Sequence, residues 1–432
     1  MNVCVYGLWH LGSVTAACLA DWFPTIGLDP DGSITAALSE GRPPLFEPGL
    51  AELVRQGLSS GKLAFTSDLA RVASADLVWV TFDTPVNQDD VADPDFVATR
   101  IQELFPHLRD GSVVLVSSQV PVGFCAKLEH AFSAVADGRQ IEFACSPENL
   151  RLGRAIEVFR KPERVIVGVR GAAARSRLTE LLAPLNCPIQ WLGVESAEMT
   201  KHALNAFLAT SVAFINEIAT ACEATGADAK EVESALKSEG RIGPKAYLSP
   251  GGAFAGGTLA RDIAFLLAAG SRLGFATPLL AGVKQSNDVH RGWARRRLAE
   301  LLGELRGKNI AVLGLTYKPD TDTLRRSEAV ELCRWLGEQG AHVRAFDPVV
   351  KHKTSELPAE LELCARVDDA LRGAEAVVIA TQWPVFRELT SERIAAASAN
   401  PLVLDANRFL AGNLAGDARL RYLAVGAPRR EK

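Results

Sequence analysis

Between residues 196 and 226 apolar side chains recur every three to four positions, at Met199, Ala203, Ala206 or Phe207, Thr210 and Phe214. That spacing lines one side of a helix and does not suit a strand. It predicts one long helix, with Glu195 and Ser196 at its start and Gly226 at its stop. Shorter apolar runs elsewhere read as strands: 3–6, 25–28, 76–81, 112–117, 142–145 and 164–169 before the long helix, then 309–313, 342–346, 376–380 and 402–404 after it. Helical stretches separate these runs, so both halves predict the α/β class with a doubly wound parallel sheet.

A chain of 432 residues exceeds one ordinary core. The pattern divides it into a Rossmann-like region over 1–194, a helical middle over 195–305 and a second Rossmann-like region over 306–432, with a linker near 305–308. A net charge of −4 gives no nucleic-acid footprint. No uninterrupted apolar run reaches membrane-spanning length, and the first residues enter a strand directly, so a cytoplasmic protein with no membrane partner is expected. Eight scattered cysteines with no C-x-x-C pair argue against metal and against a disulfide framework. They read as small core residues.

Chemistry enters at the ends of the strands. Gly7-Leu8-Trp9-His10-Leu11-Gly12 joins the first strand to a helix, and Asp29 ends the second strand. This is the layout of a dinucleotide-binding βαβ unit, in which a helix N-terminus faces the pyrophosphate and the acid takes a ribose, favouring NAD. Trp9 stands where the second fingerprint glycine belongs, so either its side chain points away or a bound dinucleotide sits differently. Three polar loops containing proline follow later strands: Phe82-Asp83-Thr84-Pro85, Ser118-Gln119-Val120-Pro121 and Ser146-Pro147-Glu148-Asn149. They belong at the carboxyl edge, where such sheets bind ligands. On the long helix Lys201 and Asn205 lie four apart and share a face. Past Arg241, a glycine-rich loop from Tyr247 through Gly251 to Gly257 opens another helix, a suitable place for an anion. The stretch NVCVYGLWHLG is echoed by NIAVLGLTYKP near residue 310, and Asp347 ends a strand as Asp29 does, which points to a second nucleotide-binding domain.

Taken in order, these pieces resemble the UDP-glucose/GDP-mannose dehydrogenase family along nearly the whole chain. The resemblance rests on Pro44-Leu45-Phe46-Glu47-Pro48-Gly49-Leu50, on Ser196-Ala197-Glu198-Met199-Thr200-Lys201 with Asn205, and on Gly314-Leu315-Thr316-Tyr317-Lys318-Pro319 with Arg325. It implies an NAD enzyme acting on a nucleotide sugar, UDP-hexose by default, and a homodimer formed through the helical middle. By position it makes Lys201, Asn205 and Asp262 the groups around the reacting oxygen, with Glu148 and Thr258 as further catalytic positions. Gly7, Leu11, Gly12, Asp29, Thr84 and Gln119 would hold the cofactor. Asn149, Leu150, Arg151, Arg241, Tyr247, Gly251, Lys318 and Arg325 would hold the sugar nucleotide.

The chain departs from the family at one step of the chemistry. The family's nucleophilic cysteine is Thr258, the Thr of its S-T-V-P loop is Gln119, and the second Glu of its P-E-F-L-x-E-G loop is Leu152. A thiol ionises near pH 8.5 and a threonine hydroxyl does not, so the thioester half of a four-electron oxidation has lost its nucleophile. The sequence therefore predicts one two-electron oxidation of a hexose alcohol, at C6 by default. Its alternatives are a full oxidation through an aldehyde hydrate and a silent sugar-nucleotide-binding protein.

Overall fold

The computed structural model describes residues 1–87, 92–148, 150–255 and 257–428. The chain separates into two compact units, Met1–Leu204 and Asn205–Lys432. The helix Val194–Thr225 runs through the boundary between them.

In the first unit the strands are β1 (Val3–Tyr6), β2 (Thr25–Leu28), β3 (Leu63–Thr66), β4 (Leu77–Val80), β5 (Val113–Val116), β6 (Glu142–Cys145), β7 (Val165–Gly168) and β8 (Ile189–Leu192), in the sheet order β3-β2-β1-β4-β5-β6-β7-β8. Strand β1 sits centrally, with Val3 opposite Thr25 on one side and Leu77 on the other. Side chains alternate between two apolar layers: Val3 and Val5 join one core, and Cys4 and Tyr6 join the other. This double burial explains why the strands read as near-continuous apolar runs.

The sheet corrects the expectation of a wholly parallel arrangement, because β6 and β7 pair antiparallel through Cys145 and Gly168. Among the described residues the one α-helix between them, Ala155–Arg160, has six residues and rises about 9 Å. The connection returns at the carboxyl edge without crossing back, and β7 runs the other way. Strands β3 and β8 were not anticipated. In β3 only Leu63 is buried, and in β8 no residue is, so neither has the fully apolar signature of a central strand.

The second unit holds β9 (Asn309–Leu313), β10 (His342–Phe346), β11 (Glu362–Leu363), β12 (Ala376–Ile379), β13 (Leu402–Leu404) and β14 (Arg421–Leu423), ordered β11-β10-β9-β12-β13-β14 with every pair parallel. Strands β11 and β14 are two and three residues long, too short to show a period in sequence. Between 205 and 302 this unit contributes helices, among them Thr258–Leu273, Pro278–Arg291 and Trp293–Leu302, and the glycine loop. Ala206, Ala209 and Ala213 of the long helix share a small core with Ile263 and Val283.

The long helix agrees with its sequence reading to within two residues, and Gly226 ends it at φ 83°. By length and composition it could also cross a membrane. Its polar positions argue for a core helix instead, since His202 and Asn216 are buried and hydrogen-bonded to backbone groups of their own units. Glu223, 5% exposed, is a hub near the helix end. Its carboxylate accepts Trp293 Nε1 at 3.0 Å and the Gly426 N–H at 2.8 Å, and pairs with Arg297. Glu223→Ala leaves the Trp293 and Gly426 donors without an acceptor and Arg297 with Glu300 as its remaining carboxylate partner, and is expected to cost about 2–4 kcal/mol. Urea unfolding monitored by circular dichroism reads this as a lowered midpoint.

Candidate functional site

The turn after β1 has the shape a dinucleotide needs. Gly7 has φ 97°, and a Cβ on Gly12 would overlap the Gly7 carbonyl, so the chain closes here only with glycine at both places. The helix His10–Leu19 starts directly after Trp9, which is 43% exposed, so the indole that replaces the second glycine is turned outward. Leu11 lies in the first turn of that helix. Asp29, 6% exposed, accepts the Leu8 N–H at 2.7 Å through Oδ2 and the Asp31 N–H at 2.9 Å through Oδ1. A carboxylate has about four lone-pair sites, so this one still has acceptor capacity for a ribose. These residues fit NAD.

The echo near residue 310 reproduces the turn and not its chemistry. Gly314 has φ 90°, and Asp347 lies at the end of β10. Asp347 Oδ2, however, accepts Leu315 N–H, Thr316 N–H and Trp383 Nε1, while Oδ1 accepts Val349 N–H and Val350 N–H. At 1% exposure it is closed to a ligand, so the expected likeness to Asp29 is one of backbone locking alone.

The loops after β5 and β6 are pinned to the long helix by three of its residues. Glu198, 3% exposed, accepts the N–H groups of Gly123 at 2.6 Å and Cys125 at 2.9 Å, capping the helix Phe124–Ser133. The buried His202 ring bonds the Val120 carbonyl at 2.9 Å. Lys201 Nζ donates to the Glu148 carbonyl at 2.7 Å. Thr84 Oγ1 donates to the Gln119 carbonyl at 2.6 Å, joining the loops after β4 and β5. Lys201, Gln119, Glu148 and Cys145 line one small cavity. Burial pushes the Glu148 carboxyl above its ordinary value, and Lys201 partly offsets this. Leu150 is partly buried and Arg151 exposed, while Asn149 lies outside the described residues.

In the second unit Asn205, 4% exposed, donates its amide to the fully buried carboxylate of Asp262. Asp262 sits in the second turn of the helix Thr258–Leu273, and Thr258 is that helix's first residue, exposed. The glycine loop before it is held by side chains. Asn216 Oδ1 accepts the Gly251 N–H at 3.0 Å, and His290 Nε2 bonds the Gly251 carbonyl at 2.7 Å. Asn287 bonds both the N–H and the carbonyl of Phe254. Burial holds His290 neutral by lowering its pKa, which suits a ring buried against a carbonyl. A solvent-open crevice of about 1270 Å³ lies at the carboxyl ends of β12 and β13, lined also by Gly252, Arg291 and Asn407. Lys318, Arg325, Tyr247 and Arg241 are exposed, and Arg241 pairs with its near neighbour Glu239.

Sequence reasoning passed over Glu198, His202, Asn216, Asn287 and His290. The available signal was a polar residue inside an apolar helical run, as with Asn216 in AFINEIA. Glu47 is also better explained by structure: at 4% exposure it accepts the Gly153 and Ala155 N–H groups at 2.8 Å each and bonds His10 at 2.9 Å.

Three family models cover the chain: the NAD binding domain of the UDP-glucose/GDP-mannose dehydrogenase family over residues 1–186, its central domain over 195–289 and its UDP binding domain over 311–412. The chain is 33% identical to UDP-glucose 6-dehydrogenase of Rhizobium meliloti, over 99% of this chain and 100% of that one. It is 32% identical to UDP-glucose 6-dehydrogenase of Pseudomonas aeruginosa, over 99% and 98%. Among solved structures, a UDP-glucose dehydrogenase from Pyrobaculum islandicum superposes with a TM-score of 0.86 at 30% identity, covering 99% of this chain and 97% of that one.

The raised Glu148 pKa gives stability a pH dependence of definite sign. From the ordinary glutamate value of 4.5 up to the folded value, the native state binds more protons than the unfolded one, so stability falls as pH rises through that window. Glu148→Gln, neutral throughout, removes this term. Thermal melts from pH 4 to pH 8 are expected to show the variant gaining on the parent as pH rises.

Proposed function

The chain belongs to the UDP-glucose/GDP-mannose dehydrogenase family as an NAD-dependent nucleotide-sugar dehydrogenase, and from that premise we propose that it performs a single two-electron oxidation. The substrate is a UDP-hexose, the product its C6 aldehyde, and one NADH and one proton are released. One observation carries the proposal: no ionisable thiol serves the step that would follow. Thr258 occupies the start of the catalytic helix. Burial raises the thiol pKa of all eight cysteines, to about 11 at Cys364 and about 12 at Cys4, Cys18 and Cys333, with Cys125, Cys145, Cys187 and Cys222 raised as well. Cys145, which lines the cavity beside Lys201, is therefore a neutral thiol at physiological pH.

NAD, when bound, supplies the acceptor for the hydride leaving C6. The protein's share is to hold the alcohol oxygen while its proton departs and the C=O bond forms. Lys201 and Asn205 are four residues apart in the long helix, the spacing of one helical face. The ammonium stabilises negative charge developing on that oxygen, and the Asn205 amide, oriented by Asp262, adds a donor. Asp262 is the proton acceptor of the step, directly or through a water. A second oxidation needs a tetrahedral adduct on the aldehyde carbon. A thiolate provides one at neutral pH and a threonine hydroxyl does not.

We further infer a homodimer. Phe207 is 70% exposed and Phe214 46% on the long helix, and Leu273, Phe275 and Leu279 are more than half exposed on or beside helices of the same unit. Apolar exposure of this extent marks a contact surface.

Two measurements test these readings. NADH counted per UDP-glucose consumed is expected to equal one, with an aldehyde captured by a carbonyl reagent, and Thr258→Cys is expected to raise the ratio. Two NADH and a uronic acid from the parent protein would sink the single-step reading. Phe207→Glu is expected to convert a dimer to a monomer in light scattering; a parent protein already monomeric would remove the second inference.

A further inference from the structure

On the side of the first sheet that carries the helix His10–Leu19 lies a further cavity, of about 570 Å³ and open to solvent. Much of its wall is apolar: Trp79 from β4, Phe159 from the short helix Ala155–Arg160, Val165 from β7, and Leu182 and Leu185. The loop after β6 closes another side through Pro147, Glu148 and Leu150. Two polar groups on this wall are unspent. Thr15, which borders the cavity one helical turn past Leu11, is 0% exposed, and its Oγ1 has no hydrogen-bond partner among the described residues. A helical threonine hydroxyl ordinarily bonds a carbonyl three or four residues back, so a buried one left free is out of the ordinary. The serines of the same wall are engaged. Ser117 Oγ accepts Trp79 Nε1 at 2.8 Å and donates to the Ser146 carbonyl at 2.6 Å, and Ser146 Oγ donates to the Ile166 carbonyl at 2.9 Å. Arg164 stands exposed at the rim, and its guanidinium forms no ion pair or hydrogen bond among the described residues. Glu163 beside it in the chain forms no pair with it, and Glu157 is taken by Arg154.

We propose that this cavity is a binding site for a short aliphatic monocarboxylate with one oxygen at its far end, an ω-hydroxy acid being the simplest case. The carboxylate pairs with Arg164 at the rim, the methylenes lie against Trp79, Phe159 and Leu182, and the terminal oxygen meets Thr15 Oγ1. An unpaired guanidinium offers a carboxylate two parallel donors. Methylenes that enter an apolar wall leave water, which favours the bound state. Two hydroxyls can each donate and accept, so the terminal oxygen satisfies the threonine as well as itself. A wholly apolar guest would leave Thr15 unpartnered, and a dianion would set its second charge among apolar side chains and beside Glu148. The site takes no part in the oxidation and does not depend on how many electrons are removed.

Titration calorimetry on the whole protein, with 6-hydroxyhexanoate and hexanoate as the probes, tests both ends of the site. The parent is expected to bind 6-hydroxyhexanoate about fivefold more tightly than hexanoate, the difference one net hydrogen bond makes. Thr15→Val keeps the shape and removes the hydroxyl, so it should erase that preference and leave the affinity for hexanoate as it was. Arg164→Gln is expected to weaken both acids about tenfold, through loss of a charge-assisted pair. These results should hold with NAD present at saturation, and circular dichroism should show each variant folded as the parent is. No binding of either acid to the parent would overturn the proposal. So would an Arg164→Gln protein that binds both acids unchanged, because the carboxylate would then sit elsewhere. Displacement of the acids by NAD would assign them to the cofactor groove, with the same consequence. A preference for the hydroxy acid that survives Thr15→Val would remove Thr15 from the site and overturn the proposal in its stated form. The count of NADH per sugar enters none of these readouts, so the single-step reading can fail while this one stands.

Discussion

A polar side chain taken out of water costs more than folding can spare unless it finds a hydrogen-bond partner, and the helix Val194–Thr225 carries at least six of them on its buried positions: Glu198, His202, Asn205, Ser211, Asn216 and Glu223. The rest of the structure follows from where those partners are. In the first unit they are backbone groups of the loops after β5, so the helix fixes the carboxyl edge of the sheet. In the second they are the glycine loop, Asp262, and the hub of Trp293, Arg297 and Gly426. A helix with an apolar face alone would have packed without choosing which loops to hold.

This distribution bears on how the chemistry is arranged. The groups assigned to the reacting oxygen are on or bonded to the most constrained element in the chain, whereas Lys318, Arg325, Arg241 and Tyr247 stand exposed on loops. Rigid positioning is what a transition state requires, since a small misplacement costs orders of magnitude in rate. Long exposed cations suit a flexible ligand such as a diphosphate, which is met by charge more than by geometry.

Much of the fold could be read from sequence because both sheets are buried on two faces and their strands are uninterrupted apolar runs. The same rule concealed β3, β8, β11 and β14, which lie at sheet edges and are short or half-exposed. The reversal at β7 was hidden for another reason: strand direction depends on whether a connection crosses the sheet, and periodicity does not report that. Among the candidate site residues, those that bear charge or sit in motifs could be named from the sequence, as with Asp29, Lys201 and Asp262. Those whose role is to hold backbone, such as Asn216, His290 and Asn287, were not, because their partners are peptide groups and leave no pattern in the one-letter code. Asp347 is the opposite case: the second nucleotide-binding domain it pointed to is matched by the family's UDP binding domain, while its own oxygens are taken by neighbouring N–H groups.

The burial of the cysteines has a further meaning for the enzyme's surroundings. Seven of the eight thiols are buried, and burial raises the pKa of every one, so the protein offers almost no thiolate to peroxide or to electrophiles. A relative built around a reactive cysteine loses its function at the first irreversible oxidation of that sulfur. In this chain the head of the helix Thr258–Leu273 carries a hydroxyl and no sulfur, so irreversible thiol oxidation has no target at that position.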